Sequence, residues 1–96
     1  MVRLIWSLRA VKDLEDICDF IALDSDHYAR VFAQKIIDLV EDIPRFPNAG
    51  RIVPEYHDRF LREKLYHNYR IVYRLKKKSI EIVTISHGAR NLTEIS

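Results

Sequence analysis

The chain has 96 residues, and its 16 Lys+Arg against 14 Asp+Glu give a formal net charge of +2. This length predicts a single domain, residues 1–96, because domains usually contain roughly 100–150 residues. A hydrophobic content of 48% beside 31% charged residues excludes a disordered chain, and the presence of only two glycines and three prolines excludes a collagen-like or linker-like one.

The first half of the sequence predicts a strand followed by a helical hairpin. Residues 2–6 are mostly apolar and favour a strand, and Ser7 can cap the following helix because its hydroxyl accepts from a backbone amide of the first turn. Apolar residues recur at helical spacing over residues 8–21 and again over residues 29–43. Pro44 marks the end of the second helix, since proline disfavours helical geometry in the residue before it.

The second half predicts a loop and then three strands. Residues 44–55 contain all three prolines and one of the two glycines, which is typical of a loop. Strand composition follows over residues 60–66, 69–75 and 80–85, with short polar turns between them. The predicted fold is therefore α+β, in the order β-α-α-β-β-β, with a small antiparallel sheet packed against the N-terminal helical hairpin.

The sequence offers no support for a membrane span, a secretory signal or a metal site. No apolar run reaches the roughly 18–20 residues that span a bilayer, and the stretch after Arg3 is shorter than a secretory signal requires. Cys18 is the single cysteine, which excludes an internal disulfide and a cysteine-based zinc site. The four histidines lack metal-site spacing. We therefore expect a cytoplasmic protein with no membrane partner, no metal and no cofactor.

The net charge conceals an asymmetry between the two halves. Residues 1–50 contain six Lys/Arg and nine Asp/Glu, a net charge of −3, whereas residues 51–96 contain ten and five, a net charge of +5. A basic second half indicates that this part meets an anionic partner. The alternative is that these charges only solvate exposed faces.

Arginines on the predicted sheet are the first candidate site. Arg70 and Arg74 alternate onto one face of the central strand, and we expect Arg62 on the strand beside it. The guanidinium group presents a planar fork suited to phosphate or carboxylate. The alternative is a solvated strand face on which Glu63 or Glu81 forms ion pairs with the arginines.

The segment after the last strand, His87-Gly88-Ala89-Arg90, is the second candidate. Gly88 permits a turn with positive φ that would bring Arg90 back over the sheet, and His87 can exchange a proton near neutral pH. Together these groups would bind a phosphate and assist cleavage of RNA without a metal. The alternative is that His87 bonds to the backbone and Arg90 braces the C-terminus.

A loop arginine and several tyrosines complete the candidates. Gly50-Arg51 lies in the predicted loop, where a turn glycine beside a bracing arginine is the simpler interpretation. Tyr66, Tyr69 and Tyr73 have the ring faces on which bases stack, but at strand positions such residues more often pack in the core.

Several short motifs, taken in order, resemble the ParE/RelE superfamily of type II toxin–antitoxin toxins. They are Trp6 and Ala10, Asp13-Leu14 and Ile17, Pro47-x-x-Gly50-Arg51, Leu61-Arg62-Glu63, Tyr69-Arg70-Ile71-Val72-Tyr73, and His87-Gly88-Ala89-Arg90. The resemblance spans nearly the whole chain, and the predicted element order agrees with that family's fold. It implies a growth-inhibiting bacterial toxin that a cognate antitoxin neutralises.

The superfamily has two branches with different targets. RelE-like toxins cut messenger RNA on the ribosome, whereas ParE-like toxins inhibit DNA gyrase and have no established nuclease chemistry. Arg70 and Arg90 match positions at which RelE-like toxins carry important arginines. However, those toxins usually add a lysine cluster and a late tyrosine, and here Lys64 stands beside an acid and residues 91–96 contain no tyrosine. The resemblance therefore favours the ParE-like branch.

Each branch implies its own site residues. Under the ParE-like interpretation the expected partners are the antitoxin and DNA gyrase, contacted through basic and aromatic residues (Arg51, Arg62, Tyr73 and Arg74). Under the RelE-like alternative the partners are the ribosome and messenger RNA. The catalytic residues would then be Arg70, His87 and Arg90, and only that alternative makes the protein an enzyme.

Overall fold

One strand, two helices and four further strands follow one another in the computed structural model, which describes residues 2–93 and residue 95. The elements are β1 (Arg3–Trp6), α1 (Leu8–Ala22), α2 (Asp26–Asp42), a 3₁₀ turn (Ile43–Arg45), β2 (Arg51–Ile52), β3 (Leu61–Tyr66), β4 (Tyr69–Leu75) and β5 (Ser79–His87). The predicted α+β fold is confirmed, and the structure adds the short strand β2 inside the predicted loop. Among the described residues, no helix has the length and apolarity needed to cross a membrane.

Both helices begin after a serine that caps the first turn. The Ser7 hydroxyl accepts a hydrogen bond from the Ala10 amide at 3.0 Å and donates one to the Val83 carbonyl oxygen at 2.8 Å. Ser25 accepts from the Tyr28 amide at 3.1 Å. The cap at Ser7 therefore also fastens the start of α1 to strand β5.

The five strands form one mixed sheet in the order β1-β5-β4-β3-β2. Strand β1 runs parallel to β5, with Leu4 opposite Ile80, and the other neighbouring strands are antiparallel. The predicted antiparallel sheet is therefore correct except for the pair β1 and β5, which is parallel. Alternation within a strand decides which face each side chain takes but not the direction of the neighbouring strand, so the apolar pattern of β1 did not predict its partner.

Both faces of the sheet are buried, each by a different part of the chain. The helices cover one face, where Ile36 and Val40 of α2 pack with Ile71 and Tyr73 of β4. The opposite face carries a smaller apolar cluster, made of Val53, Leu61, Val72, Val83 and Leu92. The segment after β2 and the C-terminal segment therefore cover the face that Arg70 and Arg74 share, whereas Arg62 lies opposite Tyr73 and takes the other face.

Candidate functional site

The candidate site is a network of two arginines and two carboxylates on the sheet face opposite the helices. Arg70, near the start of β4, is only 4% exposed. Its Nε donates to Glu63 Oε1 at 2.7 Å, while its Nη1 and Nη2 donate to Glu55 Oε2 at 2.8 Å and Glu55 Oε1 at 2.7 Å. This two-point contact with Glu55 matches the planar guanidinium fork to the carboxylate, which makes it a strong and directional pair.

Glu63 joins the two arginines. Its side chain lies on β3, is fully buried, and accepts from Arg51 Nε on the neighbouring strand β2 as well as from Arg70. Arg51 and Arg70 together balance the charges of Glu55 and Glu63. The hydrogen bond with Glu55 is the main cause of a raised pKa for Arg70, and the same bond lowers the pKa of Glu55 to about 2. Arg70 and Glu55 are therefore an ion pair at neutral pH.

The C-terminal segment is attached to this network by main-chain amides. Glu55 Oε2 accepts from the Leu92 amide at 3.1 Å, and the Tyr56 hydroxyl accepts from the Ile95 amide at 2.8 Å. The Leu92 side chain is 2% exposed and packs in the smaller apolar cluster. Two neighbouring residues of one loop thus fix the C-terminal segment across the sheet.

Arg62 is engaged with the backbone of nearby loops. Its Nη1 donates to the Gly50 carbonyl oxygen at 2.9 Å and to that of Asn48 at 3.2 Å, and its Nε donates to the Arg59 carbonyl oxygen at 2.9 Å. These contacts shape the segment before β2. Arg62 therefore has a structural role in holding these loops. Its binding to a partner stays a prediction.

Tyr73 lies in the core, which corrects the expectation that it contacts a partner at the surface. Its side chain has no exposed area, and its hydroxyl donates to the Pro47 carbonyl oxygen at 2.8 Å and accepts from the Gly50 amide at 3.2 Å. Burial raises the pKa of the Tyr73 hydroxyl. A Cβ at position 50 would collide with this hydroxyl and lie 2.8 Å from the Glu63 carbonyl oxygen, so close packing explains Gly50.

Arg74 forms longer ion pairs nearer the surface. Its Nε lies 3.9 Å from Glu81 Oε1, and Lys76 Nζ lies 3.5 Å from the same oxygen. The alternative in which Glu63 and Glu81 pair with the strand arginines is therefore the arrangement found in the structure. Arg70 and Arg74 do not form a free basic face.

His87 ends β5 and remains exposed. Its Nδ1 accepts from the Ala89 amide at 3.3 Å, so the neutral imidazole carries its proton on Nε2. The ring packs edge-on against Tyr69, with 5.8 Å between the ring centroids. This backbone contact of His87 matches the structural alternative predicted for the tail.

The predicted positive φ at Gly88 is wrong, because Gly88 has no positive φ. Its amide instead donates to the Asn68 carbonyl oxygen in the β3–β4 turn, and a Cβ there would lie 3.0 Å from the same oxygen. Arg90 is exposed, and its carbonyl oxygen accepts from Arg70 Nη1 at 3.3 Å. The tail thus meets Arg70 through its backbone.

A groove of about 300 Å³ lies at this end of the sheet. Arg51, His67, Arg70 and His87 contribute to its lining. The groove brings two imidazoles near two guanidinium groups, but each nitrogen of Arg70 already faces a carboxylate oxygen. Within residues 2–93 and 95, no group of three or more His, Cys, Asp or Glu side chains is arranged to hold a metal ion.

The sequence matches the family model described as "ParE toxin of type II toxin-antitoxin system, parDE" over residues 4–92. The chain belongs to the ParE toxin family. Its fold is similar to a chain of the chromosomal ParDE toxin–antitoxin system from P. aeruginosa, with a TM-score of 0.76 and 26% identity over 91% of this chain and 96% of that one. No curated protein sequence matches it.

A second solved structure supports the ParE fold alone. The YoeB/ParE toxin from Agrobacterium tumefaciens has a TM-score of 0.64 and 20% identity, covering 90% of this chain and 98% of that one. The recognition of the superfamily from ordered motifs is therefore confirmed, on the ParE side.

Two residues of this ParE-family chain emerge only from the structure. Glu55 lies in a loop whose irregular sequence predicts no contacts, yet it binds Arg70 and the C-terminal segment. Asp13 lies on the polar side of the α1 pattern, yet its Oδ2 accepts from the Thr84 hydroxyl and from the Ile85 amide at 3.1 Å. Both contacts join segments far apart in sequence, which periodicity does not reveal.

Proposed function

We propose that this protein, acting as one toxin domain over residues 1–96, inhibits bacterial growth in the cytoplasm by binding DNA gyrase. The main support for the proposal is that, in this ParE-family chain, the Arg70 guanidinium is already bound to Glu55 and Glu63. A guanidinium group that stabilises a phosphate in a cleavage reaction has to reach that phosphate. Here the guanidinium of Arg70 is buried and faces two carboxylates.

The charge balance of the network favours binding over nuclease chemistry. A phosphate approaching Arg70 would meet Glu55 and Glu63, which repel it, and replacing Glu55 would break a partly desolvated ion pair. Acceleration of RNA cleavage requires a cation directed at the developing charge. Of the two arginines that the RelE-like alternative requires, Arg70 is therefore engaged with carboxylates, and only Arg90 is exposed.

Two of the predicted contact residues remain accessible to a partner. The Arg51 side chain is 55% exposed and that of Arg74 is 27% exposed. Arg62 is bound to loop carbonyls and Tyr73 is buried. We therefore propose Arg51 and Arg74 as contacts for the target or the antitoxin.

A cognate antitoxin is the second proposed partner. A mainly apolar groove of about 470 Å³ beside the edge strand β1 is lined by side chains of β1, α1 and α2. Its apolar residues include Trp6, Val11 and Ile37, and Glu15 and Glu41 also line it. Such a groove suits the apolar anchors of a segment that is disordered alone and folds on binding. Membership in a toxin–antitoxin family supports this assignment.

The antitoxin proposal is tested by co-expression with the neighbouring gene's product. Growth should recover with the wild-type toxin and fail to recover with Val11→Asp, because a charge in the groove opposes apolar anchors. Val31→Asp is the matched control, since Val31 is 40% exposed against 42% for Val11 and does not line the groove. If the antitoxin neutralised both variants equally, the groove would not be its binding site.

Expression of the toxin with two parallel readouts tests the choice of target. Gyrase inhibition predicts a DNA damage response while translated messages remain intact. Cuts in translated messages that disappear in Arg90→Ala, without a damage response, would establish the RelE-like alternative instead.

A further inference from the structure

The two carboxylates on Arg70 differ in how firmly the fold holds them. Glu63 lies on strand β3, its side chain is fully buried, and two arginines bind it. Glu55 lies in the loop after β2, and its side chain is 22% exposed. Glu63 is therefore held within the sheet, whereas Glu55 belongs to a loop and is partly exposed.

Glu55 occupies a position built to receive a carboxylate. Arg70 Nη1 and Nη2 donate to its two oxygens at 2.8 and 2.7 Å, and the Leu92 amide adds a third donor at 3.1 Å. We call these donors, the Arg70 guanidinium and the Leu92 amide, the Arg70 site. If Glu55 left, the Arg70 site would present three N–H groups and an excess of one positive charge.

The loop that carries Glu55 contains a strained residue. His57 has a φ of 52°, in the left-handed region that side-chain-bearing residues seldom adopt. Strain of this kind is relieved when the segment opens, and it lowers the free-energy difference between the closed and open loop.

We propose that the Arg70 site is an exchangeable carboxylate site, which Glu55 fills in the free protein and an Asp or Glu side chain of a bound protein segment fills in a complex. Glu55 acts as a tethered competitor and protects the site from weak ligands. Because a tethered group has an effective concentration on the order of millimolar, only a segment with several contacts displaces it.

The surroundings favour an acidic protein segment over a nucleic acid. The observed occupant is a carboxylate held edge-on by the guanidinium fork, and Glu63 beneath it disfavours the larger charge of a phosphate. This inference concerns the chemistry of the site and does not depend on gyrase being the target.

The first experiment uses acetate to replace the missing group in Glu55→Ala. This substitution removes the CH₂–COO⁻ part of the side chain, which acetate restores. The thermal midpoint of the variant should rise with acetate relative to chloride at equal ionic strength by more than that of the wild type. Inorganic phosphate is the comparison anion; because it stabilises folded proteins in general, its effect is also taken as the difference between variant and wild type. A larger difference with phosphate than with acetate would overturn the carboxylate assignment.

The second experiment measures binding of labelled oligoglutamate and of labelled oligothymidylate of equal charge. Glu55→Ala should bind oligoglutamate about tenfold more tightly than the wild type, because the tethered competitor is gone. Glu81→Ala is the matched control: it makes the same change in net charge at a side chain that is 27% exposed, but it breaks only the 3.9 and 3.5 Å pairs with Arg74 and Lys76 and no two-point contact.

Each outcome of this comparison decides the proposal. An equal gain in oligoglutamate affinity in Glu81→Ala would show that net charge alone causes the effect, and it would reject the proposed site. If Glu55→Ala gained more affinity for oligothymidylate than for oligoglutamate, the Arg70 site would be a nucleic-acid site and the proposal would be rejected. If Glu55→Ala does not fold, Glu55→Gln keeps an amide on the same donors and should give a smaller gain for oligoglutamate; no gain in this folded variant would also reject the proposal.

Discussion

The carboxylate of Glu63 lies 2.7 Å from the guanidinium of Arg70, and the two side chains are 0% and 5% exposed. The arginine that a nuclease mechanism would place on a phosphate is therefore part of a buried ion pair between adjacent strands. Arg51 extends the pair to strand β2. These contacts stabilise the sheet and oppose the approach of a phosphate to Arg70.

Removing the negative charge of Glu63 should be strongly destabilising. In Glu63→Gln, Arg51 would lose its carboxylate partner, and the buried Arg70 would keep Glu55 alone. The free energy of unfolding should fall by about 3–5 kcal/mol, measured by urea denaturation. Glu81→Gln should change it by no more than about 1 kcal/mol, and similar losses in the two variants would contradict the buried network.

The depressed pKa of Glu55 predicts a loss of stability in acid. Its pKa falls from 4.5 to about 2 on folding, chiefly through the hydrogen bond from Arg70. Because the folded-state pKa is lower than the unfolded one, the contribution is complete above pH 4.5 and is lost as the pH falls toward 2. The stability difference between wild type and Glu55→Gln should stay constant above that window and shrink within it. Urea midpoints across the pH range provide the measurement, and a difference that does not change down to pH 2 would oppose this account.

Asp13 should stabilise the docking of α1 on the sheet. Asp13→Ala leaves the Thr84 hydroxyl, which is 1% exposed, and the Ile85 amide without their acceptor. We expect a loss of about 1–3 kcal/mol in urea unfolding, the usual cost of unsatisfied buried donors. Asp16→Ala is the control, because its pair with Lys12 is exposed and should contribute below about 0.5 kcal/mol. Equal effects of the two substitutions would show that Asp13 has no special contact.

Tyr73 should order the loop before β2 through its hydroxyl. Tyr73→Phe keeps the ring in the core but removes the partner of the Pro47 carbonyl oxygen and the Gly50 amide. Stability should fall by about 1–3 kcal/mol, and hydrogen exchange at the Gly50 amide should become faster. In Tyr28→Phe, where the ring is 67% exposed, neither quantity should change. Unchanged exchange at Gly50 in Tyr73→Phe would refute this role.

The sequence predicted those parts of the fold that depend on local pattern. Apolar spacing predicts both helices, Ser7 is a predicted cap, strand composition predicts β3, and alternation predicts β4 and β5. The parallel pairing of β1 and the short strand β2 depend on neighbours distant in sequence. No local pattern carries that information.

The candidate site was predicted less well, for a related reason. Arg70 was identified as a cation on a sheet face, and Glu63 as one of its possible partners, because both lie on strands with clear alternation. Glu55 lies in an irregular loop from which no pattern predicts a contact. For Tyr73 the sequence leaves partner contact and core packing open, and the structure places it in the core because both faces of β4 are covered. Which segment covers the second face depends on the path of the C-terminal segment, which the residue pattern does not encode.

The most direct test of the account is DNA supercoiling by purified gyrase in the presence of stoichiometric toxin. Binding to gyrase predicts loss of supercoiling and accumulation of a trapped cleavage complex, with both effects abolished by the antitoxin. Unchanged supercoiling, together with cleavage of messages on purified translating ribosomes by the same preparation, would contradict the account and make the protein a ribosome-dependent nuclease.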